Sequence, residues 1–170
     1  DFFNTYPSAY INRNTMTRWV VYANTPLSTS IKKTLYPTLK KSITGLSERD
    51  AVNKILNFVQ TAFTYEYDDK VWGHDRAFFA AETLHYPYAD CEDRSILFAR
   101  LVRDLLNLDV VLIYYPGHLA TAVGFTETVN GDYLMYKNRR YTICDPTFVN
   151  APVGRTMTGM NNNEAQVIVL

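Results

Sequence analysis

Residues 88–106 read "YADCEDRSILFARLVRDLL", and the period of this stretch decides how the rest of the chain is organised. Apolar residues recur three and four apart from Ile96 to Leu106, the spacing of an amphipathic helix. Asp90 stands just before the run and is a good N-cap, so Cys91 falls in the first turn. At about 100° per residue, Phe98, Val102, Leu105 and Leu106 share a side of the helix with Cys91. Asp93, Arg100, Asp104 and Asn107 lie opposite. The cysteine thus heads the buried stripe, at the end where the helix dipole is positive. Free amide groups and the dipole favour a thiolate there, and such thiols have pKa values of roughly 3.5–7.5. A plain core cysteine near a helix start fits the same residues, so the position must be weighed against the rest of the chain.

The chain has 170 residues, 47% hydrophobic and 20% charged, with a formal net charge of zero. That is enough for one domain with a sizeable core. It carries no basic excess of the kind nucleic acid or an anionic membrane would attract, so no nucleic-acid partner is expected. No apolar run is long enough to span a bilayer. The chain opens "DFFNTYPSAY" without methionine. A fragment or processed form is therefore expected, compatible with a removed leader, with further domains of a parent chain, and with the cell envelope or secretion ahead of the cytoplasm. Two cysteines, Cys91 and Cys144, leave a single disulfide as an option.

Upstream, residues 1 to 30 read as irregular with one strand at "TRWVVYA". "SIKKTLYPTLKKS" has helical spacing that Pro37 limits or kinks. Ser47, followed by Asp50 and by Val52, Ile55, Leu56 and Val59, reads as a capped helix to about Ala62. Residues 64–90 lack a period and read as a long loop rich in Tyr, Asp, His and Pro. Downstream, "DVVLIYY", "HLATAVGF", "YLMYK", "RRYTICD" and "VIVL" read as strands, with turns at "PG" and "NGD". Helices first and an antiparallel sheet second give an α+β fold.

A thiolate nucleophile needs a base, and the base needs an orienting group. His118 opens a strand directly after Pro116-Gly117, where the glycine leaves room for another element. Alternation puts His118, Ala120, Ala122 and Gly124 on one face, a small-residue surface suited to receive a helix. Asp145 ends the "YTICD" strand and is placed to bond the imidazole and fix its tautomer. Cys144 then points to the opposite face, which argues against a Cys91–Cys144 disulfide. Sγ of Cys91 is expected within about 4 Å of a His118 ring nitrogen. His74, His85 and Cys91 match no compact metal-ligand spacing, so neither a metal nor a cofactor is expected.

The blocks "DCEDRSILFARLV", "YPGHLATAV" and "YTICDPT", in this order, resemble the transglutaminase-like superfamily, a branch of the papain-like cysteine enzymes. The resemblance covers roughly residues 48–150, with Ala89 where the family pattern often has Gly. It implies an α+β, papain/transglutaminase-like core with the nucleophile-bearing helix packed on an antiparallel β-sheet. Residues 1–170 would form a single domain: an extension over 1–45, a catalytic core over 46–150, and a C-terminal loop and strand over 151–170. It implies Cys91 as nucleophile, His118 as general base and acid, and Asp145 as orienter. The substrate class would be peptide or protein amides, with hydrolysis favoured over cross-linking; a catalytically silent binding or scaffolding domain is the alternative. The oxyanion needs a second donor beside the Cys91 N–H, for which Gln60 is the first candidate and Trp72 the rival. Arg94 is expected to pair with Asp90, Glu92 or Glu82. Tyr65, Tyr67, Trp72, Tyr86 and Tyr88 are expected to wall the cleft.

Overall fold

The computed structural model describes residues 15–170. Six helices pack on a five-stranded antiparallel sheet: α1 (Thr15–Asn24), α2 (Thr29–Ile43), α3 (Glu48–Ala62), α4 (Asp68–Trp72), α5 (Ala80–Thr83), α6 (Cys91–Leu106), β1 (Asp109–Tyr115), β2 (His118–Gly124), β3 (Tyr133–Tyr136), β4 (Arg139–Cys144) and β5 (Gln166–Val169). The strand order is β3-β4-β2-β1-β5. The fold is α+β, with helices first and the sheet second.

The capped helices start where their side chains predict. Ser47 accepts from the Asp50 N–H and begins α3. Asp90 Oδ1 accepts from Glu92 N (2.9 Å) and Asp93 N (3.2 Å) and begins α6. Pro37 lies inside α2, which runs on to Ile43. The proline removes one ladder bond, and burial of Tyr36, Leu39 and Ile43 on the same helix offsets the loss.

Three expectations of local structure are corrected. Residues 64–90, expected as a long loop without a period, contain α4 and α5. "TRWVVYA" is not a strand but most of α1. Trp19, Tyr22 and Ala23 are buried there, with Met16 and Val20 against the core. The spacing 16, 19, 20, 23 is helical and outweighs the β-branched pair Val20-Val21. The irregular chain expected over residues 1–14 lies outside the described residues. Nor does "NGD" (130–132) turn a hairpin, because β2 pairs with β4 and not with β3. Gly131, at φ +129°, instead lets the chain cross Gly154, where an added Cβ would come within 2.5 Å of the Gly154 Cα. The β3–β4 hairpin turns on Lys137 and Asn138, both at positive φ.

The sheet has two apolar faces. One carries Val110, Leu112, Leu119, Val123 and Cys144 into the main core with α1, α2, α3 and α6. The other carries Val111, Ile113, Tyr115, Ala120, Ala122 and Ile143 into a smaller core. The C-terminal segment reaches this second core, and the Tyr115 hydroxyl donates to Asn162 Oδ1 at 2.8 Å. The helix therefore covers the Leu119/Val123 face and not the small-residue face of His118, Ala120 and Ala122. Those alanines instead make room for Tyr115 and Tyr141 from the adjoining strands. Among the described residues, no helix is long and apolar enough to cross a membrane.

Candidate active site

Cys91 is the first residue of α6, and β2 supplies the anchor that holds it. β4 pairs with β2 only over Thr121–Val123, so Leu119 has no strand neighbour on that side. Its two backbone groups are used by the first turns of α6 instead. The Leu119 N–H is turned to the Cys91 sulfur, and its carbonyl accepts from Ser95 Oγ at 3.1 Å. Residues i and i+4 of the helix are thus pinned to one residue of the strand.

His118 follows the two-residue turn Pro116-Gly117, in which Gly117 has φ +78°. An added Cβ at Gly117 would meet nothing within 4 Å. The glycine is needed for its backbone conformation, as in a type II turn, and not for the close approach expected of it. Continuing the β2–β4 register by one residue sets Asp145 opposite Ala120, diagonal to His118 on the same face. His118 Nε2 and Asp145 Oδ2 are 2.8 Å apart, and both residues are buried. Asp145 is fixed further by the N–H groups of Thr147 (2.9 Å) and Phe148 (3.2 Å) on Oδ1. This arrangement leaves Nδ1 as the free ring nitrogen. Cys144 faces the main core, and both cysteines are free thiols.

Cys91 and His118 line one cavity of about 620 Å³, together with Trp19, Tyr65, Glu92 and Tyr114. No hydrogen bond joins the sulfur to the ring. The thiol is also far from the low pKa expected of a helix start. Burial pushes it up to about 12, and the neighbouring charges of Asp90 and Glu92 add to the rise. The reason is local: the Asp90 carboxylate that caps α6 already takes the Glu92 and Asp93 amides that would have stabilised a thiolate. Cys91's own amide, at the first helical position, has no intrahelical acceptor. Burial likewise raises Glu92 to about 7, and raises the carboxyls of Asp90 and Asp93.

Gln60 does not line this cavity. It is buried, and its amide nitrogen donates to the carbonyls of Asp145 (3.0 Å), Phe148 (2.9 Å) and Ala151 (3.1 Å). Those bonds hold the loop that carries Asp145. Trp72 packs against Phe78 and Tyr86, away from the cavity. Trp19 lines it instead. Its indole N–H, on a residue only 4% exposed, has no hydrogen-bond partner. It faces Glu92 and lowers that carboxyl's proton affinity, yet Glu92 Oε2 is also without a partner. Sequence reasoning missed Trp19 because it read that stretch as a strand distant from Cys91.

Arg94 pairs with none of the expected acids. Its guanidinium donates to the carbonyls of Ala89 (3.1 Å), Gln60 (3.0 Å) and Phe63 (2.8 Å). It closes the C-terminal end of α3, where a cation suits the dipole. It also ties that end to the base of the 64–89 loop, which Thr64 and Ala89 pin by backbone bonds. Of the aromatic residues expected in the cleft wall, Tyr65 and Tyr67 line the cavity. Elsewhere, the His74 ring lies 3.1 Å from the Trp72 carbonyl, and His85 packs on Tyr86.

The fold is similar to that of a solved structure described as "a Putative Cysteine Protease from Cytophaga hutchinsonii", with TM-score 0.50 and 12% identity. The alignment covers 96% of this chain and 49% of that one, so this chain spans about half that protein's length. No protein-family model matches the sequence, and no curated protein is significantly similar to it.

Proposed function

We propose that this protein is a transglutaminase-like, papain-related thiol enzyme that transfers acyl groups from peptide or isopeptide amides through Cys91, His118 and Asp145. The observation that carries this reading is the buried 2.8 Å contact between His118 Nε2 and Asp145 Oδ2, with His118 and Cys91 lining one cavity. Asp145 holds the ring in one tautomer and offsets the charge of the imidazolium. Nδ1 takes the thiol proton as Sγ forms its bond to the substrate carbonyl carbon. The carbonyl oxygen, now negative, meets the Cys91 N–H and the Trp19 indole N–H, the donor assigned here in place of Gln60 or Trp72. The carbon–nitrogen bond breaks, and His118 returns the proton to the leaving amine. Water, deprotonated by the same imidazole, then cleaves the thioester to a carboxylic acid and restores the thiol. A bound amine in place of water would give cross-linking. We favour hydrolysis, since cross-linking requires that water be kept from the thioester.

One observation favours the alternative of a silent binding or scaffolding domain. The thiol is held up at about 12, and its sulfur is not hydrogen-bonded to the imidazole. The two readings separate on an acyl-directed electrophile, such as a peptidyl vinyl sulfone. An enzyme forms one adduct at Cys91 and loses it in Cys91→Ser at unchanged melting temperature. A scaffold forms none while binding a peptide partner equally well in both forms. The similarity to a protein described as a cysteine protease supports the hydrolytic reading.

A further inference from the structure

The cavity beside Cys91 has a wall of unusual composition. Asp90 and Glu92 flank the thiol, and Trp19, Tyr65, Tyr67 and Tyr114 surround them, with no lysine or arginine in the lining among the described residues. Two cations stand nearby among the described residues. Arg18 reaches the largely exposed Asp75 at 3.3 Å, leaves its Nε without a partner and acts by its charge on Glu92, whereas Arg94 is bonded to three carbonyls. The Trp19 indole N–H faces the Glu92 carboxyl and lowers its proton affinity, but neither that N–H nor Glu92 Oε2 has a partner at full hydrogen-bond geometry. A buried donor or acceptor left open costs on the order of 1–3 kcal/mol, so their juxtaposition points to a ligand that completes both. The carbonyl under attack supplies an acceptor for the indole. What remains is an acceptor, Glu92, in an anionic aromatic box, the combination that suits an ammonium or guanidinium group.

We propose that this wall is a specificity subsite for a cationic side chain, Lys or Arg, on the acyl-donor peptide next to the carbonyl that Cys91 attacks. This rests on the acyl-transfer reading and adds the substrate class. The cation is a recognition group and not the amine that attacks or leaves. It would pair with Glu92 and Asp90 while its stem lies against the Trp19 and Tyr114 rings, which are 5.8 Å apart. Those two carboxylates are also the charges that add to the rise of the Cys91 thiol. A cation seated on them cancels that contribution, so the right substrate eases removal of the thiol proton by His118. A second cavity of about 340 Å³ lies on the far side of His118. It shares Tyr65, Tyr67 and Gly117 with the first and adds Arg94, Thr147, Val149, Met157 and Met160.

The test uses two peptidyl vinyl sulfones that differ only in Lys against norleucine at the residue next to the electrophile, with labelling of Cys91 followed by intact mass. The expected result is labelling by both, with Lys faster by about tenfold, the range of one charge-assisted hydrogen bond. The Lys/norleucine ratio should fall to about one in Glu92→Gln, whatever that change does to the thiol itself. Equal rates for the two probes on the unaltered protein, or a ratio that survives in both Glu92→Gln and Asp90→Asn, overturn the subsite and leave the acyl-transfer reading standing. Failure of both probes to label Cys91 overturns the acyl-transfer reading, and the subsite with it.

Discussion

At the residue scale, the site turns on what Asp90 does with the amides it caps. The helix start was expected to lower the Cys91 pKa, and the structure raises it, because burial disfavours the thiolate and the cap carboxylate and Glu92 add negative charge where it would form. Replacing Glu92 by Gln removes one of those charges. Cys91 in Glu92→Gln should alkylate with iodoacetamide roughly threefold faster at pH 8 than in the parent; an unchanged rate would mean that Glu92 adds nothing to the rise that burial and Asp90 produce. Cys144, fully buried and raised by desolvation, should label more slowly than Cys91 in both. Trp19 and Gln60 should behave in opposite ways. Trp19→Phe removes an unpartnered N–H, so melting temperature should hold while acylation by a peptide substrate falls about 10²-fold. Gln60→Leu leaves three carbonyls without their donor, so unfolding free energy should drop by roughly 1–3 kcal/mol. A melting temperature unchanged in Gln60→Leu would return that residue to the candidate donors. The Asp90 cap and the pairing of His118 with Asp145 could be read from the sequence because cap chemistry and strand alternation are local signals. The jobs of Gln60 and Arg94 could not, since both side chains reach backbone carbonyls, and no side-chain pattern reveals those.

At the element scale, α6, α3 and the 64–89 loop meet on Arg94. Arg94 is 1% exposed and serves three carbonyls, two at the end of α3 and one just before α6. Arg94→Met keeps the apolar stem but strands those carbonyls. It should cost on the order of 3 kcal/mol in urea unfolding and speed amide exchange in residues 64–89 before the rest of the molecule. Uniform exchange across the chain would show that the loop base does not depend on this contact. The elements that were legible in advance, α3, α6 and the five strands, have either a side-chain cap or an unbroken period. α1 was misread because Trp19-Val20-Val21-Tyr22 has the composition of a strand while its buried positions keep the spacing of a helix. The β2–β3 connection was misread because Asn-Gly favours a tight hairpin locally, whereas the pairing of β4 with β2 places β3 one strand further out.

At the scale of the whole molecule, stability and chemistry are linked through the carboxyls around the first turn of α6. Burial raises Glu92 to about 7 and raises Asp90 and Asp93 above the ordinary carboxyl range. The folded state therefore binds protons that the unfolded chain releases near pH 4. The stabilisation they give is complete below that pH and is lost as pH rises through the folded-state values. The urea midpoint should be higher at pH 5 than at pH 8, with Glu92 contributing on the order of 2 kcal/mol, and Glu92→Gln should flatten the slope. A midpoint that rises over the same interval would contradict the assignment. The central claim is that α6, β2 and the end of β4 converge to make Cys91 a nucleophile served by His118. It is tested most directly by the rate at which a peptidyl vinyl sulfone adds to Cys91 in the parent and in His118→Ala, read by intact mass at matched melting temperatures. The account predicts a single adduct at Cys91 in the parent and a rate at least about 10²-fold lower in His118→Ala; equal rates in the two proteins would contradict it.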